Sequence, residues 1–200
     1  MNIAWILLLL TQIGFSYSYP LSKQIVQILD PIVWSTLRVL FAATFLIIFS
    51  KFSKNSKFTK AIPHLELFIL GLCGVSLNQY FFIEGLKTSS PTDAAIMATS
   101  IPVWVFVGSL LKKIEKFSLR KFLGILSGIA GIIVLFGRPS SHVSHYLILN
   151  SAIYSIYVVY GYKYMKSENP IYLLSHLFFY GAIGLVLITS FQVFIGKAHI

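Results

Sequence analysis

The sequence predicts an all-α polytopic membrane protein, and three observations carry that prediction. Only 11% of the residues are charged, against about 25% in an ordinary soluble domain. Apolar residues make up 56% and mean hydropathy is +0.80, so a soluble globule would lack the charges to solvate its surface, and a disordered chain is excluded. The apolar residues gather into seven runs, at 3–28, 31–49, 65–86, 91–111, 122–136, 146–164 and 170–195. Most approach the roughly 20 residues needed to cross a bilayer as a helix. Apolar side chains lie all round most of these runs and do not alternate, which points to helices and away from a β-barrel.

The first run follows Met1-Asn2, which carries no positive charge, and no small-residue cleavage site follows residues 3–10. It is therefore expected to be retained as a helix and not removed as a signal peptide. Pro20 is expected to kink or break it, because proline offers no N–H to the helix ladder. The second, fourth and seventh runs open with Asp30-Pro31, Ser90-Pro91 and Asn169-Pro170. Each pairs a capping side chain with proline at the first helical position, where a missing N–H costs nothing. Asp93 follows Ser90 by three residues, where a carboxylate suits the helix dipole. Ser118 is the expected cap of the fifth helix.

The net charge of +10 is a matter of topology. Lys51, Lys54, Lys57 and Lys60 follow the second run; Lys112, Lys113, Lys116, Arg120 and Lys121 follow the fourth; Lys163 and Lys166 follow the sixth. The opposite loops hold Lys23, Lys87, Arg138 and Lys197. By the positive-inside rule the N-terminus and the richer loops are cytoplasmic. Division among short loops argues against a nucleic-acid surface and leaves the lipid bilayer as the partner. One basic residue, Arg38, falls inside a run.

Enzymatic and metal chemistry find no support. There is no phosphate loop, nucleophile elbow or carboxylate pair. Cys73, the single cysteine, lies in an apolar run, so disulfides and cysteine-rich zinc sites are excluded. His142 and His145 have no acid beside them, so neither a metal nor a cofactor is expected.

An internal repeat is present at an offset of 139 residues: Asp30-Pro31-Ile32 recurs as Asn169-Pro170-Ile171, Ala43 as Ala182, Leu46 as Leu185 and Ser16 as Ser155. The charge pattern sets Asp30 outside and Asn169 inside, so the copies are inverted. Inverted repeats are an architecture of transporters, whose site lies between the copies. Residues 1–137 form a first five-helix repeat, and 145–200 hold two helices that begin a second.

Leu86-Lys87-Thr88-Ser89-Ser90-Pro91-Thr92-Asp93-Ala94-Ala95-Ile96, running on to Ser100-Ile101-Pro102, resembles the third-to-fourth-helix signature of the EamA-like branch of the drug/metabolite transporter superfamily. Glu115 sits where that family has an acidic residue after its fourth helix. Gly124, Gly128 and Gly131 resemble its glycine-rich fifth helix, and Asp30-Pro31 followed by Arg38 its second-helix pattern. Ile13 departs from it, standing where the family has tryptophan before Gly14. The resemblance spans nearly the whole chain. It implies ten helices in two inverted five-helix repeats, of which the last three are lacking here, and carriage of small organic solutes across a bacterial cytoplasmic membrane.

Arg38 is the sharpest site candidate, about 10 Å past Pro31 at 1.5 Å per residue. An intramembrane charge costs several kcal/mol unless paired or hydrated, so it is expected to face a cavity or an ion pair. Glu84 is its expected partner. Gln12, Ser16, Tyr19 and Lys23 share one face of the first helix, and Asn150, Tyr154, Tyr157 and Gly161 repeat that spacing on the sixth. Such stripes suit a substrate path or interhelical hydrogen bonds. Trp34, Asn78, Gln79, Thr99 and Pro102 complete the cavity candidates, Pro102 freeing a carbonyl or only kinking its helix. His176 and Glu84 are the candidates for proton coupling. Gly124, Gly128 and Gly131 have close-packing spacing and are expected to pack helices or join a homodimer. The chain reads as a permease for a small organic metabolite, an amino acid-like solute or a drug, or as a fragment or subunit needing a partner to complete its cavity.

Overall fold

The computed structural model describes residues 3–52, 58, 62–136 and 144–197, with side chains from residue 5 onward and through residue 134 of the fifth membrane helix. Met1, Asn2, Lys54, Lys57, Lys60, Arg138 and His142 lie outside the described residues. The described part is helical: α1 (Ile3–Ile25), α2 (Pro31–Lys51), α3 (His64–Gly71), α4 (Leu77–Thr88), α5 (Pro91–Ala98), α6 (Ile101–Leu111), α7 (Leu119–Phe136), α8 (His145–Ser167) and α9 (Pro170–Phe194). A π-helical turn, Leu72–Ser76, joins α3 to α4 in one continuous stretch. The seven runs thus become seven helical passes, two of them internally interrupted. Pro31–Lys51, His64–Thr88, Pro91–Leu111 and Pro170–Phe194 are long and apolar enough to cross a membrane on length and composition. The protein is an integral, multi-pass, all-α membrane protein.

The caps form as their chemistry requires. The Asp30 carboxylate accepts from the Ile32 N–H at 3.0 Å, and the Asn169 side chain accepts from the Ile171 N–H at the same distance. Ser90 and Asp93 make a reciprocal capping box: Ser90 Oγ accepts from the Asp93 N–H at 3.0 Å, and Asp93 Oδ2 accepts from the Ser90 N–H at 3.2 Å. Each satisfies N–H groups that a helix start leaves unpaired, which lipid would not. α7 begins one residue after Ser118.

Pro20 does not break the first helix, which runs through it to Ile25. Proline there removes one ladder bond at an exposed position, and the turns on either side carry the helix on. The fourth run breaks at Thr99-Ser100, just before Pro102. The amides of Thr99 and Ser100 bond three residues back, to Ile96 and Met97, and tighten the turn ahead of the proline ring.

Burial is inverted relative to a soluble protein. Ser22, Ser35, Ser76, Ser151 and Ser175 are each at most 2% exposed, whereas Phe41, Phe52 and Val134 are about 80% exposed. Small polar side chains lie between helices and large apolar ones face outward, as expected where lipid is the solvent. Three buried clusters organise the interior. Ile32, Val39, Ala43, Val75, Ala182 and Leu185 join α2, the π-turn and α9. Leu67, Leu70, Tyr157, Leu173 and Leu177 join α3, α8 and α9. Val26, Ile83, Leu86, Ala94 and Leu147 gather α4, α5 and the start of α8 around the chain just after α1. α2 and α9 run antiparallel: Thr36, near the start of α2, hydrogen-bonds Thr189, near the end of α9, at 2.6 Å.

Glycines set the closest approach. A Cβ at Gly181 would lie 2.5 Å from Val75 Cβ, and one at Gly71 would lie 2.6 Å from the Leu177 carbonyl oxygen. Ser76 Oγ donates to the Gly181 carbonyl at 2.7 Å across the same seam. The expected packing glycines do not pack: a Cβ at Gly124, Gly128 or Gly131 would meet nothing within 4 Å. No described helix comes close enough to these positions to pack on them. Gly181→Ala should therefore destabilise the protein by about 1–3 kcal/mol through overpacking, whereas Gly124→Ala, at an open position where alanine is the better helix former, should be neutral or stabilise by up to about 1 kcal/mol. Unfolding curves in detergent check both; equal effects would refute the packing assignment.

Candidate functional site

A cavity of about 1240 Å³ lies among α1, α2, α3–α4, α5–α6, α7, α8 and α9, ample for a small organic solute. One end reaches Glu115 and Lys121, beside the start of α7. The other end stops at Tyr19, Phe82 and Arg38, beneath the Val26–Ile83–Leu86–Ala94–Leu147 cluster. Tyr19 and Phe82 meet edge-to-face with ring centroids 5.0 Å apart and pack against that cluster. The same end is tied by Lys23 Nζ, which donates to the Leu86 carbonyl at 2.6 Å, and by the Ser144 N–H, which donates to Ser89 Oγ at 2.9 Å.

Of the residues singled out in the sequence, Gln12, Arg38, Asn78, Gln79, Thr99, Pro102, Asn150, Tyr154 and Tyr157 line this cavity. The broken passes place several of them. The π-turn presents Gly74 and Val75, and the break after α5 presents Ala98 and Thr99. Tyr157 packs against Gly74, where a Cβ would lie 2.6 Å from its ring. Asn150 is held by its Nδ2, which donates to the Asn78 carbonyl at 2.7 Å. Pro102 brings no N–H to the Ala98 carbonyl four residues back, while the Met97 carbonyl takes Ser151 Oγ at 3.0 Å and Ser100 Oγ at 2.7 Å. Gln79 Oε1 is buried with no hydrogen-bond partner among the described residues.

Arg38 has different neighbours from those expected. Its Nη1 donates to Ser22 Oγ at 3.1 Å and its Nη2 to Ser18 Oγ at 3.2 Å. Its guanidinium carbon lies 5.8 Å from the Trp34 ring centroid. Glu84 is not within ion-pairing distance of it; the charges that act on Glu84 are those of Lys87 and Asp30, at the helix ends. Arg38 and Glu84 belong to different helices, and the seam between α2 and α4 turns the arginine toward α1 instead. Ser18 and Ser22 are one turn apart on α1, a pairing that i, i+4 spacing could have suggested.

Four candidates lie off the cavity. Ser16 bonds its own helix, donating to the Ile13 carbonyl at 2.8 Å. Trp34 packs against the Val26–Ile83–Leu86–Ala94–Leu147 cluster, its Nε1 buried without a partner among the described residues. Glu84 does not reach the lining. His176 sits against Phe58 and Tyr172, with Nδ1 2.9 Å from the Tyr172 carbonyl oxygen. Gly124 and Gly128, by contrast, form part of the lining because they pack against no helix. Among the described residues no group of three or more metal-ligating side chains occurs.

An all-helical, multi-pass membrane protein with a mostly apolar, solute-sized cavity between its helices is the class these features define. Residues 2–137 match the EamA-like transporter family, and the chain belongs to it. An uncharacterized transporter of Archaeoglobus fulgidus is 27% identical over 185 residues, covering 90% of this chain and 65% of the relative. A second uncharacterized transporter from that organism is 24% identical over 97% of this chain and 68% of its own length. The protein WALLS ARE THIN 1 of Arabidopsis thaliana is 35% identical over 103 residues, 44% of this chain and 26% of its own. The chain thus spans about two thirds of the first relative and a quarter of the last.

Asn150→Leu should weaken the fold by about 0.6–2 kcal/mol, the range for hydrogen bonds between membrane helices. Ser16→Ala, which touches only its own helix, should have no effect. Unfolding in mixed micelles measures both; an unaffected Asn150→Leu protein would contradict the assigned contact.

Proposed function

We propose that the protein is a permease that moves a small organic solute across a membrane through the cavity described above. The carrying observation is the cavity itself: it is bordered by two interrupted helices, its lining reaches Glu115 and Lys121 beside a basic loop, and apolar side chains pack at its other end. Irregular backbone at membrane depth is tolerated where it lines a cavity, and interrupted helices are where transporters build their sites. Membership of a transporter family and resemblance to transporter-named relatives support the reading. The repeat of the Asp30 cap at Asn169, on antiparallel α2 and α9, supports two inverted units.

In this reading the N-terminus and the basic loops are cytoplasmic, the membrane is the bacterial cytoplasmic membrane, and the cavity faces inward. The Glu115–Lys121 pair then marks its inner mouth. Rocking of the two inverted units, 1–137 and 145–200, about the Gly71–Gly181 seam would draw Leu147 away from Val26, Ile83, Leu86 and Ala94 and expose the solute to the far side. His176 is offered as a proton-coupling group on the cytoplasmic half of α9, and Gly131, off the cavity lining and covered by no described helix, as a homodimer contact.

Two measurements test the proposal. On a Cys73→Ser background, Thr99→Cys should react with a membrane-impermeant maleimide from the basic-loop side and be protected from the opposite side. Proteoliposomes holding the chain should show protein-dependent counterflow for members of a panel of labelled organic solutes, and Ala98→Trp, which fills the cavity, should abolish it. Labelling from the opposite side alone would reverse the orientation. Flux unchanged by Ala98→Trp would remove the cavity from the path. The absence of flux across the panel would favour a subunit that needs a partner.

A further inference from the structure

We propose that Arg38 is the receptor for a negatively charged group, so that the cavity takes a small organic anion with an apolar body. The inference rests on the permease reading and names its substrate class. Among the described residues, the cavity lining holds three charged side chains: Arg38, Glu115 and Lys121. Lys121 Nζ lies 2.7 Å from Glu115 Oε2, so these two neutralise each other at the mouth. Arg38 stands apart at the closed end. It meets two serine hydroxyls and one aromatic ring, all neutral, and no described carboxylate lies within 4 Å of it.

A guanidinium keeps its charge under all ordinary conditions and carries five N–H donors in a planar fork. Ser18 and Ser22 occupy one donor on each terminal nitrogen and leave the rest uncommitted. The two hydroxyls and the Trp34 face fix the plane of the fork without neutralising it. That is the arrangement suited to a carboxylate or a similar oxyanion, which accepts two parallel N–H groups. A cationic solute would meet repulsion at this end and no unpaired carboxylate in the lining. Around the arginine and below it the wall is aromatic and apolar, with Phe15, Tyr19, Phe82, Tyr154, Tyr157 and Phe178. These surfaces take an uncharged hydrocarbon or aromatic body, and the amides of Gln12, Asn78 and Gln79 among them offer hydrogen bonds to a polar substituent on it.

The experiment compares matched probes on the purified full chain in neutral detergent, read by thermal unfolding. Benzoate and hexanoate are titrated beside benzamide and hexanamide, their neutral isosteres, and benzylamine as a cation. A ligand that binds only the folded protein raises its melting temperature. The carboxylates should stabilise the wild-type protein and the amides and amine should not. Arg38→Gln should raise the carboxylate Kd about tenfold or more, the loss expected for a charge-assisted hydrogen bond. Arg38→Lys should recover part of it, keeping the charge without the fork. The wild-type comparison of acid with amide decides the matter even where Arg38→Gln fails to fold.

Equal stabilisation by acids, amides and amine, unchanged in Arg38→Gln and lost in Ala98→Trp, would overturn the anion receptor and leave the permease reading standing. No stabilisation by any probe would overturn the receptor; joined to flux that Ala98→Trp leaves unchanged, it would remove the permease reading too. Stabilisation by phosphatidylglycerol in place of benzoate would also overturn the proposal, assigning the guanidinium to a lipid phosphate.

Discussion

The structure depends on the close approach of two helix backbones at the centre of the molecule. Gly71, Val75 and Ser76 meet Leu177, Gly181 and Gly184 with no room for another Cβ between them. In lipid, apolar side chains gain nothing by leaving one apolar environment for another, so association rests on dense packing and on hydrogen bonds between helices. The Ser76 hydrogen bond to the Gly181 carbonyl supplies the second of these at the same seam. The π-turn at Leu72–Ser76 lies in this contact. Its extra residue shifts the helical register, so that Ser76 addresses α9, Gly74 and Asn78 address the cavity, and Val75 touches both.

The cavity is the consequence on the other side. With α3–α4 drawn against α9 and with Tyr157 seated on Gly74, the passes at one end of the cavity close together around Val26, Ile83, Leu86, Ala94 and Leu147. Below that cluster α7 stands away, and its glycines border open space. An arginine placed at the boundary between cluster and cavity is held by hydroxyls from α1 and stays charged. Packing of that cluster and exposure of a cation beside it are two results of one arrangement of helices.

Much of the fold was legible in the sequence because bilayer thickness constrains length and composition together. The seven passes follow from run length, and their starts from Asp30-Pro31, Ser90-Pro91 and Asn169-Pro170, whose side chains need no distant partner to cap a helix. The stripe Asn150, Tyr154, Tyr157 could be read from i, i+4, i+7 spacing, and those residues do line the cavity. The glycines show the limit of that reasoning. Gly124-x-x-x-Gly128 has packing spacing yet packs against nothing described, whereas Gly71 and Gly181, without that spacing to each other in the chain, make the tightest seam. Small residues permit close approach, but only the partner helix determines whether it happens.

By itself the sequence determined the class, the passes, the caps and the presence of one arginine at membrane depth, because these follow from local chemistry and from the length a bilayer demands. Only the tertiary structure decided which way each helix turns. Helices apolar on every side carry no stripe to mark an inner face, so rotation is set by contacts with neighbours. That rotation put Arg38 beside Ser18 and Ser22 and away from Glu84, set His176 off the cavity against Phe58 and Tyr172, and turned Trp34 into the closed end.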